Sequence, residues 1–133
     1  MVESARPLSP HVQIWRWHVT MTASILHRAA GLLLYFGLLI LAGWALALGE
    51  GRTAFAAWSG LMSSWPGLAL WFLITLSGFF HLANGIRHLA WDIGFGFKPK
   101  TADVTALIAL GFAIVATVGF WLRLSAFGVF DHG

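Results

Sequence analysis

The sequence predicts an all-α integral membrane protein with three transmembrane helices, on the evidence of its composition and of three long uncharged segments. Hydrophobic residues make up 59% of the 133 residues and charged residues only 10%, and the mean hydropathy is +0.79. Because soluble domains carry about 25% charged residues, this chain cannot cover a water-facing surface. Soluble domains and disordered tails are therefore disfavoured. So are nucleic-acid binders, because eight Lys and Arg are too few and too scattered for a phosphate-tracking groove.

Three segments without Asp, Glu, Lys or Arg are long enough to cross a bilayer, and they cover residues 29–48, 65–86 and 104–122. A helix needs about 20 apolar residues to cross the hydrocarbon core, so each segment is predicted to be one span. None shows the short alternating pattern of a membrane β-barrel. We expect a single membrane-anchor domain over 1–133, in which residues 1–28 form a cytoplasmic or interfacial segment and the start of the first helix. Short connections are expected at 50–64 and 87–103.

The basic residues predict the orientation of the chain. Six of them fall on one side of a three-span topology: Arg6, Arg16, Arg28, Arg87, Lys98 and Lys100. Arg52 and Arg123 fall on the other side, so the positive-inside rule places the N-terminus in the cytoplasm. The first 28 residues resemble neither a signal peptide nor a transit peptide. We therefore expect a multi-pass protein of the bacterial inner membrane.

The chain contains no cysteine, which excludes several redox centres. A thiolate iron–sulfur cluster, a zinc-thiolate site, a disulfide framework and a covalently attached c-type haem all require cysteine. The sequence also lacks a glycine-rich dinucleotide fingerprint. The sequence therefore offers neither cluster ligands nor a dinucleotide-binding motif.

The second segment ends in a stripe of polar and small residues at helical spacing: Ser77, Gly78, His81, Asn84, Gly85, His88 and Asp92. His81 lies inside the uncharged segment, where a desolvated histidine suggests a functional site. His88 follows about 10.5 Å along the same face, similar to the distance from a haem iron to its propionate edge. Haem ligation by His81 and an interhelical hydrogen bond with packing glycines both fit this spacing.

A second polar stripe begins the first segment, with Ser24, His27, Arg28 and Gly31 at offsets 0, 3, 4 and 7. Arg28 alone fits a snorkelling interfacial anchor, and Ser24 fits a hydroxyl bonded to its own helix. Together, a cation and a hydroxyl at the level of the other stripe suit a carbonyl-bearing ligand that takes up electrons and protons. Asp92 fits a helix-end charge and a proton-delivery group equally well.

Three motifs resemble the cytochrome b subunit family of succinate dehydrogenase. They are RPLSPH at 6–11, SILHRAAG at 24–31 and HLANGIRHLAWD at 81–92. They occur in the family's order, they are combined with three spans, and the resemblance covers nearly the whole chain. It implies a membrane anchor of respiratory complex II, assembled with a flavoprotein subunit, an iron–sulfur subunit and a second small anchor.

The resemblance also implies roles for individual residues. His81 matches the axial ligand of a haem b whose other ligand is a histidine of the second anchor. His27, Arg28 and His88 match residues near the haem propionates. Ser24 and Arg28 also match the ubiquinone site, and Asp92 matches an acidic residue with a proposed role in proton supply.

Two other functions remain open from the sequence. A haem-free anchor would use both stripes only for helix packing, and a haem spectrum would distinguish it. A small transporter or an unrelated b-type cytochrome is the other alternative. A transporter more often shows paired charges at the midplane, and a bis-histidine cytochrome needs a second deep histidine besides His81.

Overall fold

A computed structural model describes residues 9–128, with the side chains of residues 11 and 12 outside the description. Regular structure in this range is entirely helical. A short 3-10 helix at His11–Ile14 precedes four α-helices: α1 (Val19–Glu50), α2 (Arg52–Met62), α3 (Trp65–Asp92) and α4 (Pro99–Ala126). Arg6, which contributes to the predicted orientation and to the first motif, lies outside the described residues.

Helices α1, α3 and α4 are each long and apolar enough to cross a membrane, which confirms the prediction of three transmembrane helices. The connections differ from the prediction. Residues 50–64 include an 11-residue helix, α2, and α3 continues to Asp92, so the connection expected at 87–103 shrinks to 93–98. The difference arises because a charged residue ends an apolar segment without ending the helix that carries it.

Glycine and proline mark the helix boundaries. Gly51 separates α1 from α2 with a φ of 105°, a left-handed conformation that glycine adopts without steric cost. Proline lies in the first turn of both α3 and α4, where its missing N–H costs no helical hydrogen bond. The turns between spans are therefore encoded locally.

Helix α3 lies at the centre and packs against both α1 and α4. The buried residues of α4 are all small and recur at helical spacing, namely Ala102, Ala106, Ala109, Ala113 and Thr117. Such residues allow close backbone approach between membrane helices. Most large apolar side chains point away from the bundle, a surface suited to lipid or to other membrane helices.

The antiparallel register of α1 and α3 is set by contacts at three glycines. Gly31 lies against His81, Gly37 against Ile74, and Gly78 against Leu34. The same register places the two polar stripes at one end of the helix pair. The stripes therefore share a depth, as the sequence predicts.

Candidate functional site

Three histidines from α1 and α3 form a cluster near one end of the bundle. The rings of His27 and His81 are stacked, with centroids 4.0 Å apart and planes 13° apart. The ring of His88 also lies against that of His27, with ring centroids 5.1 Å apart and planes 46° apart. The structure thus brings together all three histidines that the stripes contain.

The hydrogen bond of His81 determines which of its ring nitrogens carries a free lone pair. Its Nδ1 lies 3.3 Å from the backbone carbonyl oxygen of His27. A carbonyl only accepts, so Nδ1 carries the hydrogen and Nε2 of the neutral ring keeps its lone pair. A neutral imidazole whose other nitrogen donates to a carbonyl is the usual state of a metal-ligating histidine.

Gly31 makes room for the His81 ring. A Cβ at this position would lie 3.1 Å from Cε1 of His81 and 3.5 Å from its Nδ1. The ring therefore occupies the space above a glycine, with the ring of His27 stacked on its face. Both contacts come from one turn of α1, so this single turn fixes the position of the His81 ring.

The cluster also contains a buried polar atom with no partner. Nε2 of His27 is buried and makes no hydrogen bond within the described residues. An unpaired buried nitrogen costs about 1–3 kcal/mol, so it indicates a partner group that lies beyond the described residues. No set of three or more His, Asp or Glu side chains within residues 9–128 has the geometry to hold a bare metal ion.

Arg87 is part of the site, although its place at the end of an apolar segment predicts an interfacial charge. Its side chain is only 7% exposed and lies between α3 and α4. It donates from Nη1 to Oδ1 of Asn84 at 3.0 Å, from Nη2 to the carbonyl of Ala102 at 2.9 Å, and from Nε to Oγ1 of Thr105 at 3.0 Å. Its guanidinium also lies 4.1 Å from the centre of the Trp91 ring.

Helical spacing in the sequence accounts for the contacts of Arg87 within α3 but not for its contacts with α4. Asn84 and Trp91 stand three residues before and four after Arg87, a spacing that places all three on one helix face. The contacts with Ala102 and Thr105 depend on how α4 packs, and no local pattern encodes them. The third span, for which the sequence predicts only a membrane crossing, thus also supplies hydrogen-bond acceptors to this network.

Ser24, Arg28 and Asp92 lie at the same end of the bundle but outside the histidine contacts. Ser24 is half-buried, whereas Arg28 and Asp92 are exposed. A cavity of about 550 Å³ lies elsewhere, where Trp58, Trp71 and Trp121 of α2, α3 and α4 contribute to its lining. This cavity includes neither Ser24 nor Arg28.

Comparison with known proteins gives matches along nearly the whole chain. The profile of the family described as succinate dehydrogenase/fumarate reductase transmembrane subunit matches residues 3–120. The succinate dehydrogenase cytochrome b556 subunit of Rickettsia felis is 35% identical over 121 residues, which cover 91% of this chain and 94% of that protein. The b556 subunit of Paracoccus denitrificans is 31% identical over 125 residues, covering 94% of each chain. The mitochondrial cytochrome b560 subunit of Homo sapiens is 31% identical over 120 residues, covering 89% of this chain and 71% of that protein.

Proposed function

Because the chain belongs to the family of succinate dehydrogenase/fumarate reductase transmembrane subunits, we propose that it is the cytochrome b membrane anchor of a succinate dehydrogenase. Its partners in this proposal are a flavoprotein subunit, an iron–sulfur subunit and a second small membrane anchor. Succinate oxidation belongs to the flavoprotein, since this chain has neither a cluster-binding cysteine nor a dinucleotide fingerprint. The anchor supplies a haem ligand, part of a quinone site and attachment to the bilayer.

His81 is proposed to hold the iron of a haem b that would be shared with the second anchor. The observation that carries this assignment is its hydrogen bond to the His27 carbonyl, which leaves Nε2 available to iron. A porphyrin needs only one ligand from this chain, which fits a cluster unable to hold a bare ion. When bound, haem b accepts and passes on single electrons.

His27, Arg28 and His88 are proposed to hold the haem propionates. The buried, unpartnered Nε2 of His27 needs a polar group of this kind. Arg28 adds a fixed positive charge one residue further along α1, and cationic donors make the stronger hydrogen bonds to carboxylates. These side chains would orient the macrocycle and offset its negative charge.

Ser24 and Arg28 are also proposed to bind the headgroup of ubiquinone. Their positions one turn apart on α1 allow a hydroxyl and a guanidinium to donate to one ligand. A carbonyl oxygen gains negative charge during reduction, so fixed donors stabilise it most while that charge develops. Asp92, exposed at the end of α3, is proposed to supply protons to this site.

The histidine end of the bundle is proposed to face the cytoplasm of a bacterial inner membrane. Arg87 is buried and paired with α4, so it counts less toward the positive-inside rule than the sequence suggests. Four exposed basic residues remain at this end within residues 9–128: Arg16, Arg28, Lys98 and Lys100. Arg52 and Arg123 are exposed at the other end, so exposed basic residues are still more numerous at the histidine end.

Purification of the intact complex from detergent-solubilised membranes tests this proposal. We expect flavoprotein, iron–sulfur and second-anchor subunits to copurify with this chain, together with a dithionite-reduced b-type absorption spectrum. A complex of these subunits without haem would identify a structural anchor. Absence of the flavoprotein would instead refute membership in the dehydrogenase.

A pair of variants then tests the ligand assignment. His81→Leu should abolish the b-type spectrum, whereas His88→Leu, the matched control on the same helix face, should alter it without removing the iron ligand. Subunit stoichiometry and flavin content report assembly in both cases. A normal spectrum in His81→Leu together with a lost spectrum in His88→Leu would reverse the assignment.

A further inference from the structure

Arg87 is a buried cation that the proposed haem and quinone roles leave unused. Each of its three guanidinium nitrogens donates one hydrogen bond, to a side chain of α3, a backbone carbonyl of α4 and a hydroxyl of α4. A planar guanidinium held at three points cannot rotate without breaking at least one of these bonds. Arg87 therefore holds the side chains that it contacts in fixed positions.

The first of these groups is the amide of Asn84, which is fully buried. Arginine only donates, so the Asn84 atom that faces Nη1 must be the oxygen. The amide nitrogen then points the other way, where it lies 3.5 Å from Nε2 of His88, at the outer edge of hydrogen-bond distance. This nitrogen only donates, so it favours a His88 whose Nε2 is unprotonated.

The second group is Trp91, which holds His88 from another direction. The Arg87 guanidinium lies over the Trp91 ring, and that ring meets the His88 ring nearly edge-on, with centroids 4.9 Å apart and planes 80° apart. The Trp91 indole N–H donates to the carbonyl of Gly96 at 3.3 Å, which fixes the ring further. His88 is thus flanked by Asn84 and Trp91, and both of these side chains contact Arg87.

We infer that Arg87 is a positioning residue that acts through Asn84 and Trp91 to fix His88 as the Nδ1–H tautomer. The tautomer follows from contacts within this chain. Its use, which is donation of the Nδ1 hydrogen to a haem propionate, rests on the proposed function. A fixed donor would stabilise the propionate charge and so raise the reduction potential of the haem, because an unneutralised negative charge favours the ferric state.

Asn84→Asp reverses the polarity of this arrangement with little change in shape. The carboxylate can still accept from Arg87, but it presents an acceptor to His88 where the amide presents a donor. We expect Nε2 of His88 to gain a hydrogen in this variant. Thr105→Val is the matched control, because it removes one Arg87 contact on α4 and leaves the Asn84 contact in place.

Nitrogen NMR of the ¹⁵N-histidine-labelled complex reads the two ring nitrogens directly, and the resonances lost in His88→Gln identify His88. In the native complex and in Thr105→Val, we expect an unprotonated Nε2 and a protonated Nδ1. In Asn84→Asp, the Nε2 resonance should move to the protonated range. A protonated Nε2 in the native complex, or an unchanged Nε2 in Asn84→Asp, would overturn the inference.

A redox titration of the haem tests the functional consequence. Asn84→Asp should lower the midpoint potential, and the drop should be smaller when His88 is already replaced by Gln, because His88 then no longer transmits the change. Equal drops in both backgrounds would show that His88 does not link Asn84 to the haem. The NMR readout needs no haem, so a haem-free complex would refute the proposed haem role and leave the tautomer measurable.

Discussion

Replacement of Gly31 by valine is the most direct test of how α1 positions His81. The native glycine leaves just enough room for the imidazole, since a Cβ would lie 3.1 Å from Cε1 of His81. Carbon atoms in contact prefer about 3.5–4.0 Å, so the first added atom alone is about 0.4–0.9 Å too close. Valine adds two further methyl groups to this clash.

The His81 ring has little freedom to move away from the new side chain. The ring of His27 is stacked on its face at 4.0 Å, and the bond to the His27 carbonyl ties Nδ1 to the same turn of α1. Overpacking of this kind costs about 1–3 kcal/mol, and loss of the hydrogen bond adds about 0.5–1.5 kcal/mol. We therefore expect about 1.5–4.5 kcal/mol against the native ring position, which is about a 13- to 2,000-fold reduction in its population.

The assay is the reduced-minus-oxidised haem spectrum per flavin in the purified complex. Gly31→Val should lose most of the b-type signal, and Gly31→Ala should show an intermediate loss. Gly111→Ala is the matched control, because a Cβ there meets nothing within 4 Å in this chain. Full haem content in a fully assembled Gly31→Val complex would refute the reasoning that this turn of α1 fixes the ligand.

Three further predictions concern the quinone and the topology. Arg28→Leu removes a charge-assisted hydrogen bond worth about 1.5–3 kcal/mol, and Ser24→Ala removes a weaker neutral one. Both variants should slow succinate-dependent quinone reduction far more than reduction of a dye that accepts electrons upstream. Intact quinone reductase activity in an assembled Arg28→Leu complex would show that Arg28 is only an interfacial anchor. Asp92→Asn should likewise slow quinone reduction at unchanged dye activity, and equal slowing of both reactions would exclude a role in proton supply. The chain has no cysteine, so single cysteines can be introduced at Thr53 and Lys98 without background labelling. An impermeant thiol reagent should label them from opposite sides of the membrane, with Lys98 on the cytoplasmic side. Labelling of both from one side would contradict the three-span topology.

The part of the fold that could be predicted from the sequence is the part that local chemistry decides. An apolar segment of about 20 residues must satisfy its own backbone hydrogen bonds in lipid, and a helix does so within the segment. The three spans follow from this requirement. Helix α2 was missed because, at 11 residues, it is too short to span the membrane and it carries polar residues, so hydropathy does not distinguish it from a loop.

The histidine cluster was partly predictable for a similar reason. Helical periodicity places His81 and His88 on one face of α3, and His27 with Gly31 on one face of α1. Periodicity does not reveal the register between two helices. The stacking of His27 on His81 depends on the glycine contacts that set this register, so it appears only when α1 and α3 are packed together.

Arg87 marks the clearest boundary between what sequence and tertiary structure decide. Composition and helical periodicity predict a membrane protein of three helices, two polar stripes at a common depth and the candidate ligand within them. The sequence presented Arg87 as an interfacial charge, because an arginine near the end of an apolar segment usually reaches the headgroups. Only the packing of α4 against α3 shows otherwise, since the carbonyl of Ala102 and the hydroxyl of Thr105 replace water around the guanidinium. A buried charge is stable only where other elements supply its hydrogen-bond partners, and those partners lie 15 and 18 residues further along the chain.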